Sequence, residues 1–170
     1  MDIKPYKQTT FETCLAVCLM LMAGIKPTYK REVQICKMGR GFNFAKGQLN
    51  YLARNLGKDL AVFVDNKTYF RKFKRDLHKK IVAQNEKIDL RMLKSKLING
   101  PVIIYLDSYY LHKEIHYPHF VLSFDSHRNR IQIMDPWIGK IKWIPEQKIK
   151  KGIISLRNHL RFCPLAITNV

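Results

Sequence analysis

Residues 8 to 24 read Gln8-Thr-Thr-Phe-Glu-Thr-Cys14-Leu-Ala-Val-Cys18-Leu-Met-Leu-Met-Ala-Gly24. The stretch opens polar, and from Leu15 to Ala23 every residue is apolar or a thiol. Such a run is too short to cross a bilayer and predicts a buried helix, which Gly24 and the following Ile25-Lys26-Pro27 bring to an end. Thr9 with Glu12 fits a capping box, and Thr10 or Thr13 are alternative caps, so the helix starts within a few residues of Cys14. A cysteine in the first turn feels the positive end of the helix dipole, which favours thiolate over thiol. Cys14 is therefore the candidate nucleophile. Cys18, one turn deeper, is expected to pack inertly in the core.

Outward from this helix, a short second helix is expected over Lys30–Lys37 and a third over about Ala45–Asn55, where Leu49, Leu52, Ala53 and Leu56 recur at helical spacing. Gly39-Arg-Gly41 between them is a loop, and it lacks the Gly-Lys-Ser/Thr ending of a phosphate cradle. Leu60–Val64 reads as a strand. From Lys67 towards Gln84, Tyr69, Phe70, Phe73, Leu77 and Ile81 keep helical register, which predicts an amphipathic surface helix. Asp89 caps a further helix that Asn99-Gly100-Pro101 ends. Beyond Pro101, Val102–Leu106, Phe120–Phe124, Arg130–Met134, Ile141–Ile144 and Leu165–Thr168 read as strands joined by turn-rich pieces, which is hairpin spacing. Helices first and an antiparallel sheet second make an α+β fold. A single domain over residues 1–170 is expected, its helical half about 1–98 and its sheet half about 99–170.

The net charge is +18, with basic residues densest over Lys67–Lys80. Such a surplus attracts polyanions, and an acidic peptide would be steered towards the protein. Nucleic acid is the rival partner, but the basic stretch carries no recognised nucleic-acid motif, and a solvated helix face accounts for it. The sequence has 46% hydrophobic residues, which is enough for a core and excludes general disorder. It shows neither a secretory signal nor a transmembrane run, so a cytoplasmic location is expected. The cysteines Cys14, Cys18, Cys36 and Cys163 form no C-x-x-C pair and are expected to be free thiols.

Thiol chemistry at a carbonyl needs a base, an orienter for that base and oxyanion donors. His119 immediately precedes the strand Phe120–Phe124, and Asp135 follows the strand ending at Met134. The start of one strand lies beside the end of its antiparallel partner, which predicts Asp135 next to His119. A carboxylate there would fix the imidazole tautomer and stabilise its charged form. Gln8 is a candidate oxyanion donor alongside the Cys14 N–H. Trp137 would cover the His119–Asp135 contact, or serve as a core aromatic at the turn. His112 and His116 read as loop histidines, and His116-x-x-His119 lacks the partners of a metal site, so neither metal nor organic cofactor is expected.

These pieces together resemble the papain-like cysteine peptidases that process double-glycine leader peptides. The matching segments are Gln8 with Cys14 heading an apolar helix, Gly47-Gln-Leu-Asn-Tyr-Leu-Ala-Arg-Asn-Leu-Gly57 and Leu97-Ile-Asn-Gly-Pro-Val-Ile-Ile-Tyr105, followed by His119-Phe-Val-Leu122 and Met134-Asp-Pro-Trp-Ile-Gly139. The resemblance implies Cys14 as nucleophile, His119 as general base and acid, Asp135 as its orienter and Gln8 in the oxyanion hole. It also implies a peptide lying between a helical half and a sheet half, with no cofactor. Two related outcomes use the same scaffold: transfer of the acyl group to an amine, and peptide binding without chemistry. Family members usually show Asp-Cys-Gly at the nucleophile where this chain has Thr13-Cys14-Leu15, so Leu15 is expected to narrow the substrate pocket or to change which substrate fits. Without transmembrane helices, the expectation is a stand-alone peptidase domain and not an exporter.

Overall fold

The computed structural model describes residues 3–39 and 44–170. Arg40 and Gly41 of the Gly39–Gly41 loop lie outside the described residues. The apolar run forms helix α1, Cys14–Met22, and all of its residues are buried. It ends in a Schellman motif: Gly24 takes φ +72°, its N–H donates to Leu21 O, and the Ile25 N–H donates to Met20 O. The start differs from the Thr9–Glu12 capping box. Thr13 is the N-cap without a side-chain cap bond. The Thr9 N–H and hydroxyl donate instead to Glu32 Oε2, at 3.0 and 2.9 Å. A fully buried carboxylate is costly without donors, and the threonines ahead of α1 supply them.

Thr28 caps α2, Tyr29–Lys37, and α3 covers Phe44–Asn55. Then follow β1 (Leu60–Val64), α4 (Lys67–Phe73), β2 (Ile81–Asn85), α5 (Leu90–Leu97), β3 (Val102–Asp107), α6 (Tyr109–His112), β4 (Pro118–His127), β5 (Arg130–Asp135), β6 (Lys140–Pro145), α7 (Glu146–Asn158) and β7 (Leu165–Asn169). The strands form one sheet in the order β2-β1-β7-β3-β4-β5-β6. The β1–β2 pair is parallel and all other pairs are antiparallel. The fold class is α+β, with a mixed, mostly antiparallel sheet.

Two segments depart from the pattern in the sequence. The expected amphipathic helix from Lys67 stops at Phe73, the chain turns through Asp76 at φ +59°, and Ile81–Asn85 pairs along the edge of β1. The helical register of its apolar residues was real, but sheet pairing outweighs local propensity there. The second departure is α7, which no strand or helix was expected to occupy. Gly152 at its middle weakens the helical signal, yet a Cβ there would lie 3.3 Å from Asp107 O and 3.4 Å from Leu106 Cβ, so glycine lets α7 lie close on β3.

Strand alternation divides the core in two. Leu60, Val62, Ile103, Tyr105, Phe120 and Leu122 pack on the face covered by α1 and α3. Ala61, Phe63, Ile104, Leu106 and Val121 pack on the opposite face, with Ile149 and Ile153 of α7. Because both faces are covered, these strands read as continuous apolar runs. Leu19→Ala on α1 is expected to cost about 2–5 kcal/mol in urea unfolding, whereas Ile98→Ala, at an exposed position, should change stability by less than about 0.5 kcal/mol.

Candidate active site

Helix α1 lies directly on β4, where the Cys18 thiol is 3.6 Å from Phe120 O. One helical turn earlier stands Cys14, and one residue before Phe120 stands His119. The sheet thus carries the histidine to the start of the helix that carries the cysteine. Burial pushes the Cys18 thiol well up, and the neighbouring Cys14 and Asp135 charges add to this, in keeping with an inert core thiol. Leu15 is fully buried in the core and does not line the cleft at Cys14, so the expected narrowing by Leu15 is absent.

His119 and Asp135 are both without solvent exposure, and His119 Nε2 lies 3.0 Å from Asp135 Oδ1. Burial pulls the His119 pKa down, but the hydrogen bond to Asp135, contact with Cys14 and the charges of both residues outweigh it and raise it to about 9. Its Nδ1 is buried and makes no aligned hydrogen bond, although Cys14 is close enough to contribute to that upward push. Burial would likewise push the Asp135 carboxyl up, and its contacts with His112 and His119 hold it well below the usual carboxylate range. A raised histidine stabilises the fold fully below its ordinary value of about 6.5, and that contribution is lost as the pH rises through about 9. The lowered carboxyl stabilises above the ordinary carboxylate range and loses its contribution as the pH falls below it.

The turn after β5 serves this pair twice. The Trp137 N–H donates to Asp135 Oδ1 at 3.1 Å, and the Trp137 ring stands edge-on to His119 at 5.6 Å, covering it from one side. The Gln8 N–H donates to Pro136 O at 2.7 Å, which ties the segment ahead of Cys14 to the same turn. Gly139, at φ +64°, permits this approach, since a Cβ there would come within 2.6 Å of Lys7 Cβ. The Gln8 amide is engaged within its own loop: its Nε2 donates to Thr10 O at 2.8 Å and Phe11 O at 3.0 Å, bracing the loop that enters α1.

Three neighbours escaped the sequence reading. His112 of α6 stands with Nε2 2.9 Å from Asp135 Oδ2, and Lys142 of β6 stands 3.2 Å from the same oxygen. Neither contact is an aligned hydrogen bond. The third is Glu32 of α2, whose Oε2 accepts from Thr9 and lies 2.9 Å from the Thr13 hydroxyl. Tyr6 beside it is pushed up to about 12, first by burial and then by that carboxylate. A buried acidic position inside an amphipathic helix is the only signal the sequence carried for Glu32. His116 is drawn away from His119 and pairs with Asp107 at 2.6 Å. His112, His119 and Asp135 offer ligand atoms within 4.8 Å of one another, but a cation among them would displace the proton that His119 shares with Asp135.

No protein-family model and no curated protein sequence matches this chain. Its structure is similar to the crystal structure of a candidate C39-like peptidase from Bacillus anthracis, with a TM-score of 0.62 and 13% sequence identity, over 99% of this chain and 94% of that one. The fold is therefore that of a C39-like peptidase, as the sequence motifs led one to expect. Among the described residues, no helix is long and apolar enough to cross a membrane.

In Asp135→Asn the His119 titration, followed by NMR of the ring, should fall from about 9 to near or below 6.5. Glu32→Ala, which strands the Thr9 N–H and hydroxyl donors, should cost about 2–3 kcal/mol in urea unfolding.

Proposed function

We propose that the protein is a papain-like cysteine peptidase that cleaves a peptide through Cys14, His119 and Asp135. The observation that carries this reading is His119. It is fully buried, holds Asp135 on Nε2, and leaves Nδ1 without an aligned partner in the neighbourhood of the helix-borne cysteine. A histidine serving only the core would have both nitrogens satisfied.

The chemistry follows from that arrangement. Proton transfer from Cys14 to His119 Nδ1 gives a thiolate and an imidazolium, the latter stabilised by Asp135. The sulfur attacks the scissile carbonyl carbon, and the oxyanion formed takes a hydrogen bond from the Cys14 N–H at the start of α1, which has no intrahelical partner by position. Gln8 joins it by exchanging one of its loop carbonyls for the oxyanion. As the C–N bond breaks, Nδ1 gives its proton to the departing amine and a thioester remains. His119 then takes a proton from water, the hydroxide attacks the thioester, and the carboxylic acid and free thiol are released. The excess positive charge would steer an acidic peptide to the surface by long-range attraction.

Iodoacetamide near neutral pH should alkylate Cys14 at least tenfold faster than Cys36 or Cys163, whose thiols burial pushes up. Asp135→Asn should slow peptide turnover by about 10²–10⁴-fold, and Cys14→Ala should abolish it. Alkylation of Cys14 no faster than of Cys36, together with absent turnover, would sink the proposal.

A further inference from the structure

A cleft of about 490 Å³ opens beside Cys14, which itself lines it. Its wall is aromatic. Tyr105 and Phe120 stack at 4.1 Å, Phe44 stands edge-on to both, and Phe162 meets Tyr105 edge-on at 6.2 Å. Phe11 and Tyr117, 4.3 Å apart, add to the aromatic lining. Tyr105 and Phe120 are buried, whereas Phe162 is 45% exposed and Phe11 47% exposed, which leaves aromatic surface open to a ligand. Gln48, 1% exposed, lines the same cleft, and its Oε1 has no hydrogen-bond partner among the described residues. A buried acceptor without a donor is costly, and an extended peptide held against this wall brings N–H groups that would satisfy it. The charged lining residue among the described residues is Glu12, an acid, although the chain as a whole is strongly basic.

We infer that this cleft is the subsite for a bulky apolar or aromatic side chain of the substrate, within two positions of the scissile bond. The inference rests on the peptidase reading for what is cleaved, but the cleft defines its own ligand. Because the nucleophile is part of the wall, whatever fills the cleft belongs to the residues next to the bond under attack. A pair of glycines there, as the family resemblance implies, would leave the aromatic wall wet and Gln48 Oε1 unpaired. A leucine or phenylalanine covers the wall and brings the peptide N–H to Gln48. Glu12 disfavours an acidic residue at this point, so any attraction of acidic peptides acts on parts of the substrate remote from the bond cut.

The test uses fluorogenic dipeptide amides carrying Gly, Leu or Phe at each of the two positions before the leaving group. Their turnover by the wild-type protein is measured, and so is binding of the same compounds to Cys14→Ala by calorimetry. Leu or Phe at one position should exceed Gly-Gly by about 10- to 100-fold in both kcat/KM and affinity. Cys36→Trp, which adds bulk to the cleft from α2, and Phe162→Ala, which removes part of its exposed aromatic lining, should each reduce that preference at least fivefold, read within each variant as the ratio of the Leu or Phe ligands to Gly-Gly. Gly-Gly ligands cleaved or bound as well as the apolar ones, binding of none of them, or a preference that survives both variants would overturn the subsite. An apolar preference in binding without turnover would support the subsite and remove the peptidase reading. Turnover confined to Gly-Gly would do the reverse.

Discussion

Asp135 has no contact with solvent, and a buried carboxylate is tolerable only if it is ionised among donors or neutral among acceptors. Here it is held ionised by His119 and His112. That condition organises much of the molecule. It requires β4 and β5 to pair so that their ends coincide, α6 to bring His112 over the same oxygen, and β6 to set Lys142 alongside. The turn from Asp135 to Gly139 must also be tight enough to give the Trp137 N–H to the carboxylate and the Pro136 carbonyl to Gln8. The helical side of the protein is thereby fastened to the sheet at the point where His119 meets Cys14.

What the sequence disclosed about this arrangement was whatever repeats along the chain or stands at a definite place in an element. The closed apolar run of α1, the cysteine at its head, and a histidine and an aspartate at facing ends of a hairpin are all of that kind. Elements held by distant partners were harder to see. Strand β2 exists because β1 offers it an edge, and its apolar residues suit a helix equally well. Helix α7 carries a glycine that local propensity counts against it and that packing on β3 requires. Glu32 and His112 act through contacts with residues 19 to 23 positions away, and nothing in their immediate neighbours announces those contacts. Gln8 was legible in position but not in conformation, since the carbonyls that hold its amide come from the fold of its own loop.

Charge illustrates the same separation of scales. A surplus of +18 is a property of the whole surface and acts over a distance of about a Debye length. The cleft at Cys14 is governed by contacts of a few ångströms, and those are aromatic, amide and, at Glu12, acidic. Long-range steering and short-range selection can favour different chemistry in the same ligand without conflict, because they act on different parts of it.

The chain contains a second aspartate–histidine pair, a buried Asp107 with an exposed His116, and comparison shows what distinguishes the first. Asp107 Oδ2 lies 2.6 Å from His116 Nδ1 and 2.6 Å from the Ser155 hydroxyl, while its Oδ1 accepts from the Tyr109 N–H. Burial pushes that carboxyl up, but those hydrogen bonds prevail and leave it lowered. A serine, a histidine and an aspartate are thus gathered in one place, yet Ser155 gives its proton to the carboxylate, so the histidine has no nucleophile to activate. The pair joins α7, β3 and α6, which suits a structural role. At His119 the carboxylate binds one ring nitrogen, Nε2, and leaves Nδ1 without an aligned partner in the neighbourhood of a cysteine at a helix start. The difference lies in what the second nitrogen faces, and it separates a polar staple from a candidate catalytic base.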